Sequence, residues 1–286
     1  MYCSVGVFRS VAASVIFAGI SLTASAAFSA DMPVKAAKSG CVQAVDGVNG
    51  KVAAWGGSYA NKSIYGTTGS LSVPVACEWG AQFDATAASF DSRFLGSGGG
   101  HYFWRDPSKA LVGAYGRYTY WDQVGGVKVA HIGPEAELYL GRVTLKGVAG
   151  VEFGNKPSGT INGLTTTYDN KTRFFDQMDV AYYLTDNLEA YIGHRYLGGK
   201  HALALGGEYG IQMGKTMTSL FVEGRAGEGS FHGVWGGVRF YFGQKDKTLI
   251  RRHREDDPTD WGAGIDGAGN TGTSTPAPAV RIVDPT

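Results

Sequence analysis

Phe231-His232-Gly233-Val234-Trp235-Gly236-Gly237-Val238-Arg239-Phe240-Tyr241-Phe242 is the stretch whose reading decides the fold. Taken every second residue from Val234, it runs Val234, Gly236, Val238, Phe240, Phe242. The intervening register runs Gly233, Trp235, Gly237, Arg239, Tyr241. A period of two is the signature of a strand, because successive side chains point to opposite faces. One face is wholly apolar; the other carries an arginine, and a buried charge is costly unless paired or wet. This strand therefore separates an oily phase from a polar one. The oily phase is a core in a soluble protein and lipid in a membrane barrel.

The same alternation runs through most of the chain. The segments 51–59, 70–75, 81–88, 101–105, 110–121, 127–140, 143–153, 174–184, 188–196, 201–211, 219–226 and 231–242 each show it. Val143, Leu145, Ala149, Val151 and Phe153 oppose Thr144, Lys146 and Glu152, for example. Pro74 lacks a ladder donor and marks an edge or bulge. Turn residues separate the segments at Asp106–Lys109, Gln123–Gly126, Gly141-Arg142 and Asp186-Asn187. The longest polar gap is Gly154–Thr172. The expectation is an all-β fold, a closed antiparallel transmembrane barrel of about twelve strands, with ten or eight as alternatives if short pieces merge.

Composition agrees. Gly makes up 44 of 286 residues, about twice the usual share. Aromatics reach 12%, charged residues only 18%, and net charge is +1, which removes any global electrostatic case for nucleic acid. Residues 1–30 read as a secretory signal: Arg9, then an apolar run from Val11 to Ala27, with cleavage after Ala26 or Ala30. No later segment holds 18 continuous apolar residues, so the mature chain has no helical span. Cys3 leaves with the signal. Cys41 and Cys77 then form an even pair in an oxidising compartment, and a disulfide between them is expected, two unpaired thiols being the alternative.

Two features favour lipid over a soluble sandwich. Charges recur on one face of successive strands: Arg117, Glu135, Glu137, Lys146, Glu152, Asp179, Glu189, Arg195, Glu208, Glu223, Arg225 and Arg239. In a barrel these line the lumen. Aromatics also crowd the strand ends, as at Tyr118, Tyr120 and Trp121, matching interfacial girdles. Counting strands from a periplasmic start places both cysteines and the short turns on the periplasmic side and Gly154–Thr172 outside. Residues 31–49 read as an extended periplasmic lead and 50–243 as the barrel. The stretch 244–286 lacks periodicity and reads as a disordered periplasmic tail, which puts both termini in the periplasm. Its run Arg251-Arg252-His253-Arg254 is a weak anion site at best, and the functional alternative to a solvated extension is a tether to peptidoglycan.

Asp31-Met32-Pro33-Val34-Lys35-Ala36, the hairpin Tyr183–Tyr196 and Val238-Arg239-Phe240-Tyr241-Phe242 together resemble alphaproteobacterial outer-membrane barrels of the small-porin-like superfamily. The resemblance covers about residues 31–243. It implies a bacterial outer-membrane location, contact with lipid and lipopolysaccharide, and a terminal strand read by the barrel assembly machinery. The family's signal usually ends the chain at an aromatic, whereas here 244–286 follow.

Catalytic signals are absent. Among His101, His131, His194, His201 and His232, no Ser–His spacing repeats a known signature, and there is no Gly-x-Ser-x-Gly. No histidine pair has helix metal spacing, and Gly96–Gly100 reads as a loop without a following helix, which disfavours a phosphate cradle. No catalytic residue, cofactor or metal is expected. The function classes left are a structural or passive small-solute diffusion barrel, an outer-membrane lipid-modifying enzyme, and a barrel that binds surfaces through its external loops. Inward charges of both signs on neighbouring strands fit either a wet channel or a self-filled bore.

Overall fold

The computed structural model describes residues 41–161, 163–243, 246–262 and 269–277. The signal at 1–30 and lead residues 31–40 lie outside them. Twelve antiparallel strands close into one barrel. In chain order they begin β1 (Asn49–Tyr59), β2 (Lys62–Ala76), β3 (Trp79–Phe90), β4 (Arg93–Asp106), β5 (Ala110–Trp121), β6 (Val127–Leu140) and β7 (Val143–Gly154). A separate hairpin, β8 (Ser158–Ile161) and β9 (Leu164–Tyr168), interrupts the wall. The wall resumes with β10 (Arg173–Thr185), β11 (Leu188–Leu197), β12 (Lys200–Met213), β13 (Thr216–Gly227) and β14 (Gly233–Phe242). β14 pairs with β1 to close it, in register from Gly50↔Phe242 to Tyr59↔Gly233. Close approach at this seam requires glycine: a Cβ on Gly237 would lie 2.1 Å from the Ala54 carbonyl oxygen.

Burial is inverted relative to a soluble protein. Val52, Phe83, Val112, Ile132, Met178, Val180, Leu205, Leu220 and Phe240 point outward and are each 46–61% exposed. Asp84, His101, Arg117, Glu135, Gln177 and Arg195 point inward and are buried. Two stacked sheets would hide the first set and solvate the second. The register shift between Pro74 and Ala76 is the bulge that Pro74 demands.

The barrel has two distinct ends. At the near end lie the start of β1, the end of β14 and turns of a few residues at 77–78, 107–109, 141–142, 186–187 and 214–215. At the far end lies the longest connection, 155–172, which holds the β8–β9 hairpin.

Three segments differ from the sequence expectation. Gly96–Gly100 belong to β4: their backbone pairs with β3 and β5, and four glycines around Ser97 left too few side chains to show alternation. Residues 41–48 are packed rather than extended. The Cys41–Cys77 disulfide (Cα–Cα 5.5 Å) and the Ala44 N–H donated to Cys77 O (2.8 Å) hold them at the near mouth. Ala44 and Val45 are fully buried with Phe103, Leu111 and Tyr139. Finally, 244–286 is not a disordered tail where it is described: α1 (Leu249–Glu255) sits at the near mouth, and β15 (Gly272–Pro276) pairs with β9 at the far end. Cys41 thus lies at the near end and β15 at the far end; the two termini, expected on one side, lie outside the described residues.

The disulfide closes a 36-residue separation, for which the chain-entropy model assigns about 3–4 kcal/mol. Cys41→Ser should lower the unfolding midpoint accordingly and abolish the mobility difference between reducing and non-reducing gels. Identical migration of the wild type under both conditions would refute the bridge.

Candidate functional site

Pleating sends alternate residues of every strand into the bore, so all twelve charges singled out from sequence line it. Arg117, Glu135, Glu137, Glu152, Asp179, Glu189, Arg195, Glu208 and Arg225 are buried. The side chains of Lys146, Glu223 and Arg239 are 9%, 16% and 16% exposed. They pair within the bore: Arg195–Asp179 at 2.6 Å between the adjacent strands β11 and β10, Lys146–Glu189 at 2.7 Å across β10, Arg239 with Glu208 across β13, and Arg225–Glu223 at 2.7 Å along β13. Histidines join the network. His101 bridges Asp84 and Glu135 at 2.8 Å each, and His131 meets Glu152 at 3.0 Å. Lone buried charges would each cost several kcal/mol, so pairing is what makes this interior tolerable.

The pairing is completed by residues the sequence reading left outside the barrel. At the near mouth α1 is held by the short turns: Leu249 N–H donates to Asn187 Oδ1 (3.0 Å), Ile250 N–H to Asp186 O (3.0 Å), and Arg252 to Lys215 O (3.3 Å). Arg254 donates to Thr144 Oγ1 (3.0 Å) and lies over the rings of Tyr139 and Tyr183. Lys247 is ringed by Asp46, Glu255 and Asp256. Burial and the adjacent Asp257 push the Asp256 carboxyl up to about 6, against the pull of Lys247.

Deeper in, the chain runs without regular structure, and the wall satisfies its backbone. Lys51 and Gln82 both donate to Pro258 O (3.4 Å each), Gln177 to Trp261 O (3.2 Å) and Arg117 to Gly262 O (2.8 Å). Side chains pair as well: Asp257 with Lys51 at 3.1 Å and Asp260 with Arg117 at 2.8 Å. Thr259 donates to Glu137 from both its N–H (3.3 Å) and its hydroxyl (3.2 Å). Trp261, 5% exposed, joins a cluster of rings that includes Trp55, Tyr59, Phe90, Trp121, Phe175 and Trp235 of the wall and Phe231 of the β13–β14 connection. At the far end Tyr59 donates to Asn270 Oδ1, Asn270 Nδ2 to Leu197 O (3.3 Å), and Thr271 to Asn170 (2.7 Å).

Beside the segment a polar cavity of about 100 Å³ remains, lined in part by Lys146, Asp179, Arg195, Arg239, His253 and Asp260. It has room for a few waters. Glu189, Glu208 and His253 converge closely enough to hold a metal ion. Lys146 and Arg239 already supply the positive charge there, and the hydroxyls of Tyr183 and Tyr241 face the two ring nitrogens at 2.8 and 3.1 Å. That donor set suits an ion-pair network. No Ser–His pair is assembled from the residues weighed for catalysis; His232 instead faces the Gly229 carbonyl at the far end.

Sequence reasoning put Gln82 and Asp84 on the polar face of their strand without naming them as lining residues, and it missed Lys51 and the contribution of 246–262 and 269–277. One signal was present: Trp261 is a large apolar residue for a segment that packs against nothing.

No family model matches the chain, and no curated protein matches it. Solved structures do. A chain from work on the in-meso crystallization of membrane proteins superposes with TM-score 0.50 and 13% identity, over 78% of this chain and 93% of that one. The translocator domain of autotransporter NalP from Neisseria meningitidis follows at TM-score 0.45 and 10% identity, over 69% and 88%. The beta domain of the Bordetella autotransporter BrkA reaches 0.40 and 12%, over 68% and 98%. At these identities the likeness is one of fold, a closed antiparallel β-barrel.

Proposed function

We propose that the protein is an outer-membrane β-barrel kept shut at rest by its own C-terminal segment, and a passive channel for small solutes only when that segment leaves. One observation carries this reading: Asp257, Thr259, Asp260 and Trp261 fill the bore and complete its hydrogen bonds and ion pairs. The apolar outer wall supports placement in lipid. Short turns at the near end and the longest connection at the far end support a periplasmic near end and an external far end. Lipopolysaccharide then faces the outer half of the wall, and the assembly machinery reads β14 although the chain continues beyond it. Within Arg251–Arg254, Arg252 and Arg254 are occupied by the mouth, which leaves a peptidoglycan tether little to bind with. The bore histidines and carboxylates are paired with one another, and no catalytic role is assigned to them.

Threading and orientation are tested together by cysteine labelling with a membrane-impermeant maleimide. Ser274→Cys, exposed on β15, should label in intact cells; Arg251→Cys, exposed on α1, should label only after the envelope is permeabilised. Equal labelling of both in intact cells would mean that the segment does not cross. The reverse pattern would invert the orientation.

A further inference from the structure

Three polar side chains interrupt the apolar outer wall close to the far rim. On β10, Asp176 Oδ1 lies 2.7 Å from His194 Nδ1 on β11. His194 Nε2 lies 3.0 Å from His201 Nδ1 on β12. Cross-strand register explains the meeting: Asp176 pairs with Tyr196 and Tyr196 with His201, and His194, two residues from Tyr196 on the same face of β11, reaches both diagonally. The rings of Tyr196 and His201 lie 4.5 Å apart, tilted by 33°, and Phe174 lies 6.4 Å from Tyr196. Met178 and Leu203 flank His194 on the neighbouring strands, and Ile192 continues the apolar surface below it.

These histidines differ from those of the bore. His101 and His131 are enclosed by carboxylates with side chains 0% and 3% exposed. The His194 side chain is 45% exposed, and His201 is exposed as well. Nothing in the packing of a barrel wall calls for two open imidazoles in contact. An Asp–His–His row in hydrocarbon is expensive, and its place beside the Gly198-Gly199 turn sets it at the level of the interfacial rings instead.

We propose that His194 and His201 form a zinc-binding site on the outer rim, with Asp176 as its positioning residue. By accepting the Nδ1 proton of His194, Asp176 fixes the tautomer that turns the Nε2 lone pair toward His201. A carboxylate on the second nitrogen of a metal-binding histidine is the usual supporting contact. Zinc–nitrogen bonds of about 2.0–2.1 Å at a tetrahedral angle set two ligand nitrogens about 3.4 Å apart. The 3.0 Å separation reaches that value by a small ring rotation. Imidazole pairs favour zinc, copper or nickel over magnesium or calcium. The remaining positions face outward and take water.

The test uses full-length, untagged protein folded in detergent and titrated with zinc chloride, with metal content measured after dialysis. The expected result is one zinc per chain, lost in both His194→Ala and His201→Ala. Asp176→Asn should weaken binding about 10–100-fold. Heat-dependent gel mobility reports whether each variant is folded, and none of the three side chains lies in the bore. No saturable uptake by the wild type, or uptake that the two alanine variants leave unchanged, overturns the proposal. So does uptake lost in His253→Asn but kept in His194→Ala, because it would move the ion to the cluster in the bore.

Discussion

A chain ended at Gly243 should conduct in planar bilayers where the full-length protein is silent. All twelve wall strands, and the β1–β14 seam, are complete by Phe242. The truncated form therefore retains every wall-to-wall ladder. What it loses is the filling. Lys51, Gln82, Arg117, Glu137 and Gln177 exchange tail partners for water, which costs little because the tube floods as the segment goes. The open bore stays narrow. Trp55, Tyr59, Trp121 and Trp235 are wall residues and still constrict its far half. Charges of both signs remain on facing strands, so selectivity between cations and anions should be weak. We expect discrete steps carried by small ions, with current rising on the order of tenfold or more over the full-length protein. A truncated barrel that folds, inserts and stays silent would show that the wall rings, not the segment, close the bore.

Most of the wall was legible from the sequence because a strand's pleat is a local rule. Once Val234, Val238 and Phe240 are assigned to lipid, Arg239 must face the bore, and the same step places Glu135, Glu137 and Lys146. Pro74 marked its own bulge by the donor it lacks. Glycine defeated the rule at Gly96–Gly100, where the Ser97 side chain alone records which way the chain faces. The filling was illegible for a deeper reason. A segment inside a tube touches wall on all sides, has no polar or apolar face, and so shows no period of 2 or 3.6. Its backbone is served by side chains far away in sequence: Gln82 reaches Pro258 across 176 positions, and Arg117 reaches Gly262 across 145. Composition alone makes such a segment look disordered. Ala44 and Val45 escaped notice in the same way, since their partners Phe103 and Leu111 belong to other strands.

Trp261→Ala should turn the closed barrel into a flickering one. The indole is 5% exposed and packs within the ring cluster, so its removal leaves a cavity among rigid neighbours. Trp→Ala changes of this kind cost about 3–5 kcal/mol. The barrel keeps its strand ladders with the segment in or out, so the loss falls on the docked state of the segment. At about 1.4 kcal/mol per decade, the released population rises on the order of a hundredfold to several thousandfold. Arg251→Ala is the internal control. Its ion pair with Glu255 is solvent-exposed at 51% on the arginine side and links two residues of the same helix. Such pairs contribute about 0.3–0.5 kcal/mol, too little to change the closed fraction visibly. Single-channel records of the two variants separate docking by the buried ring from docking by surface charge. Flicker in Trp261→Ala with silence in Arg251→Ala places the latch at the ring cluster. Equal silence in both, with the truncated form open, moves the latch to the ion pairs at Lys51 and Arg117, where Asp257→Asn and Asp260→Asn should then release it.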